Sequence, residues 1–140
     1  MVKTEHWVVN TSGNFDVINL TSKVRSFVEQ SNCQEGQVTL YFQHTTGAVI
    51  IAEHEVGILA DLQDTLHKIN SPDQFYHHHL RGVDQNGHAH IWSILVSSSA
   101  SITVPVSGGE LLLGALQDIL LVDWQTDDKP RRLVVQVLGE

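Results

Sequence analysis

Cysteine, proline and basic residues are all scarce in this chain. Cys33 is the single cysteine among 140 residues, so no internal disulfide forms and a cysteine-based zinc centre is excluded. Eight Lys and Arg stand against sixteen Asp and Glu, a formal net charge of −8. Binding to nucleic acid usually needs a basic face. The one basic cluster, Lys129-Pro130-Arg131-Arg132, reads instead as a turn leading into a strand. No apolar run is long enough to span a bilayer, and no N-terminal stretch resembles a signal peptide. These absences lead to the expectation of a cytoplasmic protein with no nucleic-acid and no membrane partner. Repeats and low-complexity linkers are missing as well. The length suits one domain over residues 1–140, and chains of this size bury roughly two thirds of their unfolded surface.

Histidine, by contrast, is abundant. Five of the nine histidines fall in one stretch, Tyr76 to Trp92, together with Arg81 and Asp84. Neutral imidazole is the commonest protein metal ligand and titrates near neutral pH. His88-Ala89-His90 runs into Ile91-Trp92-Ser93-Ile94-Leu95, which reads as a strand. Residues two apart on a strand share a face, so His88 and His90 are expected to aim the same way, as paired ligands or acid/base groups. Gly82 to Gly87 is turn chemistry that folds Asp84 back and brings His77 to His79 near. The plainer alternative is a solvated histidine loop followed by a strand with a polar outer face. No H-E-x-x-H or Cys-rich signature decides between them.

Elsewhere the periodicity is clearer. Val2 to Val9 and Phe15 to Ile18 read as strands joined in a hairpin through Asn10 to Asn14. Asn19 or Thr21 caps a helix carrying Val24, Phe27 and Val28. Gln37 to Gln43 alternates, with Val38, Leu40 and Phe42 on one face. It ends at His44-Thr45-Thr46-Gly47, where a buried strand fixes polar side chains and a turn exposes them. Ala48 to Ala52 is a short buried strand. The acids in Glu53-His54-Glu55 either ligate or act as a base, or simply open a solvated helix. Val56 to Asn70 is that helix, with Ile58, Leu59, Leu62, Leu66 and Ile69 as its stripe. Ser97-Ser98-Ser99 separates two strands. Ser101 to Val106 follows, with Pro105 hinting at an edge or bulge, then strands over Leu111 to Gly114, Ile119 to Trp124 and Arg132 to Leu138. About eight strands and two main helices give an α+β fold with a mixed, largely antiparallel sheet or sandwich.

Taken together, several segments resemble the YjbQ-like family, also named secondary thiamine-phosphate synthase. They are Gln43-His44-Thr45-Thr46 before an apolar strand and Glu53 after it; Tyr76-x-His78 followed by Gly82 and Asp84; Asn86 with Ala89-His90-Ile91; Ser101 to Val106; Leu113-Gly114 to Gln117; and Arg131-Arg132 to Gly139-Glu140. The resemblance covers nearly the whole chain in order. It implies an α+β protomer assembled as a homotrimer, and a site of histidines and acids that binds a metal or an anion. It also implies an activity that joins a pyrimidine diphosphate to a thiazole phosphate with loss of pyrophosphate. Carried over by residue, the site falls on His44, Glu53, His78, Asp84, His90 and Gln117. The chain departs from the pattern at Gly114-Ala115-Leu116-Gln117, where the family reads Gly-Thr-Trp-Gln. It departs again at Ala52, where the family has Asn, and at His88, where an acid is common.

Three functional readings follow. In the first, a divalent metal (zinc, or magnesium or manganese) is held by His44, His78 and His90 and binds a phosphate oxygen as a Lewis acid. Asp84, Glu53 and His90 then supply acid/base work, and Thr45 and Gln117 hold a small phosphorylated substrate. In the second, a trimer binds the metal or anion without turnover. In the third, the same site hydrolyses phosphoesters. The apolar strand Ile119 to Val122 is read as offering more apolar surface than one small core needs, in keeping with a trimer.

Overall fold

The computed structural model describes residues 1–96 and 100–140; the Ser97-Ser98-Ser99 segment expected between two strands lies outside them. Eight strands, three α-helices and a 3₁₀ turn follow one another as β1 (Val2–Val9), β2 (Asp16–Asn19), α1 (Thr21–Ser31), β3 (Glu35–Phe42), β4 (Gly47–Ala52), α2 (Val56–Ile69), the 3₁₀ turn His77–Arg81, α3 (Gly87–Val96), β5 (Ser101–Ser107), β6 (Glu110–Leu111), β7 (Asp118–Asp123) and β8 (Arg131–Gly139). They form a five-stranded sheet in the order β1-β8-β3-β5-β6 and a three-stranded sheet in the order β2-β7-β4, with antiparallel pairing in both. The α+β, antiparallel reading therefore holds, with one helix more than expected.

The alternation of β3 is realised as read. Val38, Leu40 and Phe42 are buried and Tyr41 is half exposed on the opposite face. With Leu133, Val135 and Val137 of β8, and Val24, Phe27 and Val28 of α1, they form the main core against Val49, Ile119 and Leu121 of the smaller sheet. The other face of that sheet packs Ala48, Val122 and Trp124 against Leu66 of α2 and Ala89 and Trp92 of α3. β7 is thus covered on both faces, and Ile119, Leu120, Leu121 and Val122 are all fully buried. A strand buried on both sides reads as a continuous apolar run, so Ile119–Val122 is accounted for within one chain and supplies no surplus surface for assembly. Pro105 sits where expected: its carbonyl accepts from Leu112 N, so its missing N–H falls on the side where the two-residue β6 runs out.

Two expectations are corrected. β1 does not pair with β2. It pairs with β8, Val2 opposite Leu138, whereas β2 crosses to the other sheet and pairs with β7, Asp16 opposite Asp123. The crossing needs left-handed backbone at Gly13, Asn14 and Phe15 (φ 67, 52 and 82°). A Cβ on Gly13 would lie 2.1 Å from the Asp127 carbonyl oxygen, so only glycine fits. Likewise, Leu111–Gly114 is strand only at Glu110–Leu111. The third correction, α3 in place of a strand, belongs to the site.

One buried ion pair closes the sheet end that faces the site. Arg131 Nε lies 2.7 Å from Asp123 Oδ2, with both side chains almost wholly buried. Thr11 Oγ1 donates to the same oxygen and Gln125 N donates to Oδ1 at 3.1 Å. Nη1 and Nη2 of the guanidinium donate to Asp127 Oδ1 and its carbonyl oxygen, at 3.0 and 2.7 Å. Removing one partner of such a pair leaves a buried charge uncompensated, at a cost of about 3–5 kcal/mol. Asp123→Ala is therefore expected to lose about 3–5 kcal/mol in urea unfolding, and the double variant Asp123→Ala/Arg131→Met to recover part of that loss. A single-variant loss under about 1 kcal/mol would show that the pair is not structurally important.

Candidate functional site

His44, Thr45 and Thr46 occupy the tight connection between β3 and β4, where the expected end-of-strand polar group indeed lies. Trp124 N donates to the Thr46 carbonyl at 3.0 Å and ties this turn to the β7–β8 connection. His78 and Arg81 come from the 3₁₀ turn, Asp84 and Asn86 from the loop after it, and His90 from α3. Gln125 comes from the β7–β8 connection. All of them line one pocket of about 260 Å³. The structure thus brings together His44, Thr45, His78, Asp84 and His90 from four separate segments.

α3 is where the sequence misleads most. Ile91, Trp92, Ile94 and Leu95 are residues that favour strands, yet Gly87–Val96 is helical. The deciding pattern is Ala89, Trp92 and Ser93, buried at i, i+3 and i+4, with Val96 packed behind them. That is a helical period. At 3.6 residues per turn, positions two apart diverge by about 200°. His90 accordingly enters the pocket, while His88 turns away onto Trp92, ring centroids 5.0 Å apart, and lines a separate hollow with His67 and Trp124. The pairing of His88 with His90 is overturned. Gly87 has to be glycine, since a Cβ there would lie 2.5 Å from the Tyr76 ring.

Glu53 and Gln117 do not join the pocket. Glu53 follows the far end of β4, and Ala52 stands opposite Asp118 in the register. The two residues therefore lie near each other at the opposite end of the small sheet, roughly 20 Å from Thr46 at about 3.3 Å per residue. Gln117 Oε1 accepts from Gly114 N at 2.8 Å, closing its own turn. Glu55 proves to be the cap of α2, accepting from Ile58 N. That backbone bond, with a second from Gly57, holds its carboxyl below the usual range. His77 is exposed, and His79 Nε2 accepts from Gly87 N at 3.2 Å, a structural bond. Gln125 escaped the sequence reading, although the rule that picked out His44, a polar residue just past a buried strand, applies equally after Trp124.

Hydrogen bonds determine what each imidazole offers. His44 Nε2 lies 2.8 Å from the backbone N of Arg132, so it accepts, and the ring proton sits on Nδ1. A metal on Nδ1 would require the proton on Nε2, facing that N–H. His44 therefore cannot serve as a metal ligand in this arrangement. Among the described residues, no three of His, Cys, Asp and Glu come together to hold one ion. The donor set of one chain does not fit a three-histidine metal centre.

The pocket's charge is carried by Arg81 and Asp84. His90 is held below its ordinary value of 6.5 by burial first, then by His78 and Arg81, against Asp84. The two rings stand 4.5 Å apart. His44 is lowered by burial, then by Arg131. Burial thus favours the neutral form of both imidazoles.

The family model described as UPF0047 protein YjbQ-like matches residues 5–140. The chain belongs to that family. A UPF0047 protein of Methanothermobacter thermautotrophicus is 30% identical over 139 residues, 99% of this chain and 94% of its own. One from Mycobacterium tuberculosis is 38% identical over 118 residues, 84% of each. Among solved structures, a YbjQ-like protein of Sulfolobus solfataricus P2 aligns with a TM-score of 0.91 at 29% identity, over 100% of this chain and 99% of its own. A hypothetical protein of Aeropyrum pernix K1 aligns at 0.88 and 30%, over 99% of each. Among the described residues no helix is long and apolar enough to cross a membrane.

A lowered histidine pKa has a definite sign. Below 6.5 the unfolded chain takes up protons that folded His44 and His90 refuse. Their contribution to stability is therefore unimpaired above that value and falls as the pH drops through it. His44→Gln keeps an acceptor for Arg132 N but cannot titrate. It is expected to lessen the fall in urea midpoint between about pH 7.5 and about 5.5; an unchanged slope would count against a neutral, buried His44.

Proposed function

We propose that the pocket is an active site for a small phosphorylated compound, in an enzyme resembling the thiamine-phosphate synthases that join a pyrimidine diphosphate to a thiazole phosphate. The observation that carries this reading is the convergence on one small cavity of Arg81, His44 and Thr45 with His78, His90 and Asp84. Arg81, the Nδ1–H of His44 and the hydroxyl of Thr45 suit phosphate oxygens. His78, His90 and Asp84 line the same pocket. Departure of pyrophosphate needs stabilisation of its growing negative charge, and an always-charged guanidinium beside an N–H donor supplies it without an attacking side chain. The metal of the original expectation has no step here, because the donor set of one chain does not fit it. The chain's one cysteine is buried and unpaired, which suits work in the reducing cytoplasm.

We also propose that the protein works as a homotrimer. Ile91, Ile94 and Leu95 of α3 are 39, 65 and 55% exposed, and Val56 and Ile58 of α2 are 87 and 48% exposed. Water-facing apolar groups grouped on two neighbouring helices suit burial against other copies. A neighbouring copy is also the route by which Glu53 and Gln117 reach a pocket.

The decisive experiment incubates the purified protein with a pyrimidine diphosphate and a thiazole phosphate and follows pyrophosphate release and the joined product. Arg81→Ala is expected to lower kcat/KM at least tenfold, the loss of one charge-assisted hydrogen bond of about 1.5–3 kcal/mol. Binding of either substrate without product would favour a binding module. Phosphate release from one ester alone would favour a hydrolase. Light scattering tests the assembly: a trimer that weakens with Ile94→Glu is expected, and a wild-type monomer would refute it.

A further inference from the structure

Four polar groups run in series from the β7–β8 connection into the pocket. Thr126 N donates to Gln125 Oε1 at 3.2 Å, which fixes that end of the amide as the oxygen. Asn86 Nδ2 donates to the same oxygen at 2.9 Å. The orientation of Asn86 is thereby settled, and its Oδ1 is the atom 3.1 Å from His78 Nε2. An oxygen accepts, so Nε2 carries the ring proton. Asn86 is itself 2% exposed and its backbone oxygen receives the first N–H groups of α3, so it cannot move aside. His78 Nδ1 is left with a bare lone pair. It has no partner in the described chain, yet it is not sealed off: the one buried, unpartnered side-chain polar atom among the described residues is His88 Nδ1.

We propose that Asn86, held by Gln125, is a positioning residue that makes His78 a hydrogen-bond acceptor toward the ligand, opposite to His44, which is fixed as a donor. His44 and His78 thus carry their protons on different nitrogens within one pocket. The pocket selects a phosphorylated molecule that also brings an O–H or N–H, in preference to one that can only accept. The selection rests on the reading of the pocket as a phosphorylated-ligand site; the state of His78 does not.

The test reads the imidazole nitrogens by ¹⁵N NMR of labelled protein at about pH 8, where histidine is neutral. Wild type is expected to show His78 protonated on Nε2 and His44 on Nδ1, the second serving as an internal reference. Gln125→Lys replaces the acceptor with a donor, which turns the Asn86 amide round and presents its NH₂ to His78. The expected result is that His78 moves to the Nδ1–H form while His44 stays as it was. Asn86→Asp keeps an acceptor and is expected to keep His78 on Nε2. For selection, glycerol phosphate (with hydroxyls) is compared with methyl phosphate (without) by calorimetry. Both carry the same charge, so the added lysine cancels in the ratio, and Gln125→Lys is expected to lower the preference for glycerol phosphate about tenfold. His78 protonated on Nδ1 in wild type, or unmoved in Gln125→Lys, would overturn the role given to Asn86. A tautomer that moves while the preference stays constant would overturn the contact between Nδ1 and ligand. If neither phosphate binds wild type but the tautomers behave as stated, the positioning role stands and the phosphorylated-ligand reading falls.

Discussion

The ion pair between Asp123 and Arg131 governs more of this molecule than any other single interaction. Asp123 is the last residue of β7 and Arg131 the first of β8. The connection between them would otherwise be a free surface loop. Their bond pins both ends, and the two contacts from Arg131 to Asp127 pin its middle. Taking two charges out of water is costly, and such a pair is rarely kept for stability alone. Here it delivers two groups to the pocket: the Gln125 amide, which sets Asn86, and the Arg132 N–H, which sets His44. The same carboxylate accepts from Thr11, just before the chain leaves the large sheet to become β2. A single buried carboxylate thus joins the crossing between sheets to the protonation pattern of the site.

This arrangement explains how a pocket rich in histidine comes to present neutral rings. Burial disfavours the charged form of His44 and of His90, and positive neighbours add to it. The permanent charges are left to Arg81 and Asp84. A neutral imidazole with a fixed tautomer is either a donor or an acceptor at a given edge, whereas a protonated one only donates. Hydrogen bonds to Arg132 N and Asn86 Oδ1 therefore decide which ring atom of His44 and of His78 carries the lone pair.

Much of the fold was legible because most elements bury one face only. β3 alternates, Leu59, Leu62 and Leu66 of α2 recur at helical spacing while Ile58 and Ile69 of the expected stripe are exposed, and β8 shows Leu133, Val135 and Val137 at every second position. The failures share a cause. α3 and β7 are apolar on nearly every side, so their period carries little contrast, and length and residue type were left to decide. For β7 they gave the right answer. For α3 the strand-favouring residues outweighed Ala89, Trp92, Ser93 and Val96, the spacing that tertiary packing obeys. The β1–β2 hairpin failed for another reason: the turn residues Ser12-Gly13-Asn14 were recognised, but a turn signal does not say which strand comes next in space. Of the residues that line the pocket, His44 and Thr45 were read from the end of a buried strand, whereas His78, Asp84 and His90 stood out of the histidine-rich stretch through the family resemblance. Gln125 carried the same local sign as His44, a polar residue just past a buried strand, but its place in the pocket depends on the Asp123–Arg131 ion pair that holds its connection.

The separation of Glu53 and Gln117 from the pocket follows from the small sheet itself. β4 and β7 run antiparallel with Gly47 opposite Asp123 at one end and Ala52 opposite Asp118 at the other. Six residues of strand lie between. No side-chain rearrangement bridges roughly 20 Å, and moving the strands would expose Ile119 to Val122. The two groups of residues therefore belong to different surfaces of one chain. A ligand small enough for a cavity of about 260 Å³ touches one group only. If both act on it, the second comes from another molecule of the same protein, and the surface that brings it is one on which α2 and α3 already expose apolar side chains. If only one acts, Gln117 is explained by the turn it closes with Gly114. Assembly and catalysis are in this sense a single question for this fold, decided by the rigidity of one three-stranded sheet.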